Sequence, residues 1–273
     1  MDNRFPVILI ILILVLLAAF SGCMSDQGAQ GTTTPMPYVS VTPGQTVSAG
    51  AQKGIATTGG PVAIQSIAAQ LAVVRSGSAV WREAYRMFLN MKSTEYVHPP
   101  YTVDDALGIY KFDCLGFVDH VLMSADPAAY REIGLGVNPS IESYAGYFNK
   151  LDTRTPNAAG WTKVAHPVDL QPGDICLWLK PTTLDIGHMW IIAGTPKFNP
   201  KRADEVLVRI FDSSVAHSDD SRTGSEYKTG LGSGILGMMV DAEGNPIGLY
   251  WEGGVSTAAG EKDTTIVCGR LKS

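Results

Sequence analysis

Six apolar runs crowd residues 173 to 271: GDICLWL, GHMWIIAG, EVLVRIFDS, ILGMMVD, PIGLYWEGG and TTIVCGRL. Each is rich in β-branched or aromatic residues and is bounded by Gly, Pro or Asp, the pattern of strands joined by turns. VDAEGNPIG, linking two of them, reads as a hairpin. Before residue 168 the texture is different. PVAIQSIAAQLAVVR (61–75) and SAVWREAYRMFLNMKS (78–93) place apolar residues at helical spacing, broken at Ser76-Gly77. TEYVHPPYTVDDALGIYKF reads as a loop, because its tandem prolines forbid a continuing helix. CLGFVDHVLM, with Asp113 as N-cap, is a short amphipathic helix, and further short helices are expected around 127–133 and 139–150. Helices first and strands later predict an α+β domain, with N-terminal helices packed on an antiparallel β-sheet.

The N-terminus has a separate purpose. Arg4 precedes an almost wholly aliphatic run from Val7 to Phe20, which ends in Ser21-Gly22-Cys23. The run is shorter than the ~20 residues of a membrane span but suits the core of a signal peptide. Small residues just before a cysteine resemble a lipobox, which makes residues 1–22 a signal peptide and Cys23 the lipidation site. The alternative is an uncleaved membrane anchor. Either way the chain is expected to be exported and held at a membrane, on the outer face of the cytoplasmic membrane or on an outer membrane. Residues 23–60 are rich in Thr, Gly, Ser and Pro and poor in large apolar side chains, so they form a tether. Residues 61–273 are left for the folded domain.

Charge and cysteines narrow the chemistry. A net charge of −5 with no basic stripe argues against a nucleic-acid partner. The four cysteines include no Cys-x-x-Cys pair and no zinc-type spacing, so neither a metal nor another cofactor is expected. With Cys23 lipidated, Cys114, Cys176 and Cys268 remain. Cys176 and Cys268 either bridge or stay as buried thiols on two apolar strands.

Cys114 begins a helix, where the positive end of the helix dipole and unpaired N–H groups stabilise a thiolate. The same N–H groups can hold an oxyanion beside the sulfur. A nucleophilic thiol needs a base. Among the five histidines, His188 follows a glycine at the expected first position of a strand, on the same face as Trp190 and Ile192. Period-two alternation puts Asp212 on one face with Val206, Val208 and Ile210, an acid closing an apolar row. It either orients His188 or starts a turn. The polar stretch that follows, DSSVAHSDDSRTGSEYKTGLGSG, offers His217, Asp220 and Arg222 as substrate contacts, or is simply a solvated loop.

These residues carry a resemblance. FDCLGFVDHVL resembles the Asp-Cys-Ser-Gly-Phe helix start of the NlpC/P60 family of papain-like cysteine peptidases and amidases, with Leu115 in place of the usual serine. DLQPGDICLWL and GHMWIIAG are similar to that family's Leu-x-Pro-Gly-Asp strand and Gly-His strand, in the same order. PPY at 99–101 resembles its Pro-Tyr element. The resemblance covers about residues 80 to 215, leaving the remainder as a C-terminal β-extension. It implies a papain-like fold, Cys114 as nucleophile, His188 as base, Asp212 as the third residue and Tyr101 at the oxyanion site. It also implies hydrolysis of an amide in a cell-envelope peptide through an acyl-enzyme. An acyltransferase or transpeptidase with the same site, and an inactive tethered binding lipoprotein, are the alternatives.

Overall fold

The computed structural model describes residues 78–134, 139–182, 185–262 and 264–272. The expected signal peptide, Cys23, the tether and the 61–75 helix lie outside the described residues. Helix α1 (Ala79–Asn90) starts at Ser78, whose Oγ accepts a hydrogen bond from the Trp81 N–H at 3.1 Å. It turns Val80, Trp81, Ala84 and Met87 inward. The segment expected to be a loop instead holds three short strands, β1 (Ser93–Glu95), β2 (Thr102–Asp104) and β3 (Ile109–Lys111). They form a small sheet in which β3 is central, parallel to β1 and antiparallel to β2.

Helix α2 (Cys114–Ala125) follows, then α3 (Pro127–Gly134) and α4 (Ile141–Asn149), close to the positions expected. Asp113 caps α2, as read from sequence, with Oδ1 accepting the Gly116 N–H at 2.9 Å. Phe117, Val118, Val121 and Leu122 are buried and fix the helix to the domain.

The six apolar runs all lie in one large antiparallel sheet. Its strands are β4 (Trp161–Val164), β5 (Ile175–Thr182), β6 (Asp185–Ile192), β7 (Lys197–Asn199), β8 (Arg202–Val215), β9 (Thr229–Val240), β10 (Pro246–Tyr250), β11 (Gly260–Lys262) and β12 (Thr265–Leu271). They run in the order β11-β10-β9-β8-β6-β5-β12-β4, with β7 on β8, and β9 and β10 form the expected hairpin. The described residues are therefore α+β with an antiparallel sheet.

Alternation along the strands sorts two apolar layers. Ile175, Leu177, Met189, Ile191 and Phe211 meet the helices. Cys176, Trp178, Trp190, Ile192, Val208 and Ile210 point the other way, into a layer built almost wholly of strand residues. That second face finds cover because β10 packs across onto β12, curling the sheet over itself.

In this second layer Cys176 and Cys268 sit directly opposite one another on β5 and β12 and form a disulfide. Of the two readings left open by sequence, the structure takes the bridge. It closes a 92-residue separation, for which chain entropy gives a stabilisation of about 4–5 kcal/mol. The double variant Cys176→Ala/Cys268→Ala is expected to lose about 2–5 kcal/mol in urea unfolding. An unchanged midpoint would mean that the bridge constrains nothing the sheet does not already hold.

Candidate active site

Asp113, the cap that begins α2, is a point of convergence. Its Oδ1 accepts from the Tyr101 hydroxyl at 2.8 Å as well as from Gly116, and its Oδ2 lies 3.1 Å from His98 Nδ1. The Tyr101 ring lies close against Gly116, where any Cβ would fall 2.6 Å from a ring carbon. Glycine at 116 is thus what lets the tyrosine reach the cap. Burial and the hydrogen bond to Asp113 push the Tyr101 phenol well up, so it stays a donor. Its hydroxyl would have to leave Asp113 to reach an oxyanion.

Cys114 is buried at the first position of α2 and, among the described residues, is the cysteine outside the disulfide. Its electrostatic partner is His188, the fourth residue of β6 rather than the first, because the strand starts at Asp185. His188 Nε2 lies 2.8 Å from Asp212 Oδ2, leaving Nδ1 as the ring nitrogen available to the sulfur. Burial opposes charging of this ring. The negative charge of Cys114 and the Asp212 carboxylate outweigh it and push His188 up to about 10. Cys114, His188 and Asp212 are therefore brought together from α2, β6 and β8.

Asp212 is fully buried, and its partners explain how a charge survives there. Oδ2 also faces His217 Nε2 at 2.8 Å and accepts from Ser214 Oγ at 2.6 Å, while Oδ1 accepts from Arg222 Nη2 at 2.9 Å. Burial alone would raise the Asp212 carboxyl; His217, Arg222 and the hydrogen bond from His188 reverse this and hold it well below the usual carboxylate range.

This network changes the roles expected for three residues. His217, Asp220 and Arg222, read from sequence as substrate contacts on a polar loop, are all buried. His217 Nδ1 lies 2.9 Å from the Trp251 carbonyl and Nε2 2.8 Å from the Asp212 carboxylate, which fixes the ring between the two. Arg222 forks onto Asp220 through Nε and Nη2, at 2.8 and 2.6 Å, and reaches the Gly230 carbonyl at 2.8 Å. Gly232 on β9 leaves the space this guanidinium fills. The loop spends its polar groups on Asp212 because an ionised carboxylate without them has no place in the core.

Two contributors escaped the sequence reading. Ser214 was legible in principle, since alternation along β8 puts it on the face of Asp212. Trp251, after β10, packs its ring 4.3 Å from that of His217 and 5.1 Å from that of His188, and nothing local announces this.

His188, Asp212 and His217 also bring ligand-type atoms within 4.8 Å of one another. A shared transition metal at bond lengths of about 2.0–2.2 Å holds its ligands roughly 3 Å or more apart. The two 2.8 Å separations here fit hydrogen bonds, and Arg222 already balances Asp212 from the other side. The cluster suits protons better than a cation. Compared with known protein families, with curated proteins and with solved structures, the chain matches none.

Proposed function

We propose that this chain is a cysteine hydrolase that cleaves an amide through an acyl-enzyme on Cys114, as a divergent papain-like member of the NlpC/P60 group. One observation carries the reading. A thiol at a helix N-terminus faces a buried imidazole whose other nitrogen is fixed by a buried carboxylate. Such a geometry favours the thiolate–imidazolium pair that nucleophilic thiol catalysis uses.

The Cys114 thiolate attacks the amide carbonyl, and the backbone N–H of Cys114 takes the developing oxyanion. The C–N bond breaks as His188 passes its proton from Nδ1 to the leaving nitrogen, giving a thioester and a free amine. Water then gives a proton to His188 and attacks the thioester. The C–S bond breaks, the carboxylic acid leaves, and the thiolate–imidazolium pair is restored. Asp212 fixes the ring through Nε2 and stabilises its charged form throughout.

The resemblance in sequence supports a peptide of the cell envelope as substrate, and the residues before the domain support lipid anchoring at Cys23, outside the cytoplasm. The disulfide is in keeping with an oxidising compartment. The test is alkylation by iodoacetamide at pH 6 followed by peptide mapping. Cys114 is expected to react at least about tenfold faster than a free-cysteine peptide. A rate equal to the peptide's would end the hydrolase reading.

A further inference from the structure

Beside the candidate catalytic residues lies a cleft of about 260 Å³. Tyr96, Trp178 and Trp251 contribute aromatic rings to its lining, and His188 borders it. Cys114 is not among its lining residues. That asymmetry has a chemical meaning, which rests on the reading of Cys114 and His188 as nucleophile and acid. In acylation the sulfur keeps the acyl part, and the imidazolium gives its proton to the amine that leaves. Whatever is attached to that amine lies on the imidazole side of the scissile bond. A cleft that borders His188 and not Cys114 therefore receives the amine component.

The lining also selects. No carboxylate and no lysine or arginine lines it; Lys180 Nζ, 5.5 Å from the Trp178 ring, is paired with Glu261 at 3.3 Å. A cationic side chain therefore finds no counter-charge on these walls. A carboxylate finds little better. The charge of His188 is already matched by Cys114 and Asp212, and the Ser214 hydroxyl is committed to Asp212 and the Val215 carbonyl. Thr229 Oγ1 accepts from the Tyr96 N–H at 3.3 Å and keeps a single hydroxyl donor, too little to replace the hydration of a carboxylate. Aromatic walls reward a flat apolar group, and the volume is below that of a pocket for a whole drug-sized ligand. It is room for one side chain.

We propose that this cleft is the leaving-group subsite and that it selects an uncharged aromatic side chain on the amine component of the scissile amide. By the same geometry an acceptor amine with such a side chain enters there and competes with water for the acyl-enzyme. Its nitrogen attacks the thioester, its proton passes to His188, and the C–S bond breaks to release an amide.

Partitioning tests this without knowledge of the natural substrate. The protein is acylated with p-nitrophenyl acetate, and acetyl-Cys114 is located by mass spectrometry. The acyl-enzyme then decays in equal concentrations of L-phenylalaninamide, L-lysinamide or L-glutamic acid α-amide, with N-acetyl product measured against acetate. Because both products form in one sample, the ratio is independent of the folded fraction. Phenylalaninamide is expected to give at least about a tenfold higher ratio than either charged amine. Val215 is exposed at the cleft, and Val215→Asp is expected to lower the phenylalaninamide ratio and raise that of lysinamide. Equal ratios across the panel, or an unchanged preference in Val215→Asp, would overturn the subsite while leaving the nucleophile intact. Absence of acetyl-Cys114 would instead remove the hydrolase reading, and the subsite with it.

Discussion

Cys114→Ala is expected to abolish acyl-enzyme formation, lowering turnover of any substrate by about 10³-fold or more, and to lower the titration of His188 at the same time. The second effect separates a working pair from a bystander thiol. Burial works against a charged His188, and the charge of Cys114 is the largest influence opposing it. With His188 raised from 6.5 to about 10, the stabilisation from its protonation is complete below about pH 6.5 and is lost as pH climbs through about 10. Without the thiolate, Asp212 alone supports the imidazolium against burial, so that loss moves to lower pH. In wild type the activity should fall on the alkaline side as His188 gives up the proton meant for the leaving amine. Histidine Cε1–H resonances followed from pH 5 to 11 in both proteins would show the shift. A His188 titration that ignores the substitution would mean that the two side chains do not form the reacting pair.

Asp212 is the other position where one atom pair carries a large effect. Asp212→Ala leaves the Arg222 guanidinium without one of its two carboxylate partners and His188, Ser214 and His217 without the oxygen they share, with Asp220 as the remaining buried acid on Arg222. Breaking a buried pair in this way costs about 3–5 kcal/mol. Asp212→Asn keeps the shape but presents an amide N–H₂ group where four donors now converge. It is expected to reduce acylation by roughly 10²- to 10⁴-fold, through loss of ring orientation and of support for the imidazolium. Acylation bursts normalised to folded protein keep the two losses apart. An Asn variant that acylates at the wild-type rate would demote Asp212 to a purely structural acid.

The parts of this structure that could be read from sequence are those governed by local periodicity. Strands β5, β6, β8, β9 and β12 read as near-continuous apolar runs because both faces of the sheet are buried, and alternation along β8 sorts its residues between the two layers. The same alternation turned Asp212 inward before any contact was known. Strand order was not legible. Nothing local places β12 between β5 and β4, so the partnership of Cys176 and Cys268 could be stated only as one of two readings. The sheet of β1, β2 and β3 was missed because each strand is three residues long, too short to show a period beside two prolines. The loop after β8 misled for a different reason. Asp, Ser, His and Arg read as solvated when each is taken singly, and here they satisfy one another in the core.

The sharing of Asp212 also constrains how this chain can change over generations. His188, Ser214, His217 and Arg222 all draw on two carboxylate oxygens, so the worth of each depends on which others are present. Substitutions among contacting members of one network are not additive, with coupling of about 0.5–3 kcal/mol per pair. A lone replacement of His217 or Arg222 meets the full penalty, whereas a joint replacement can meet less than the sum. Drift at these positions is therefore expected to be correlated, with the set kept or exchanged as a block, while an exposed position such as Val215 is free to vary with the ligand.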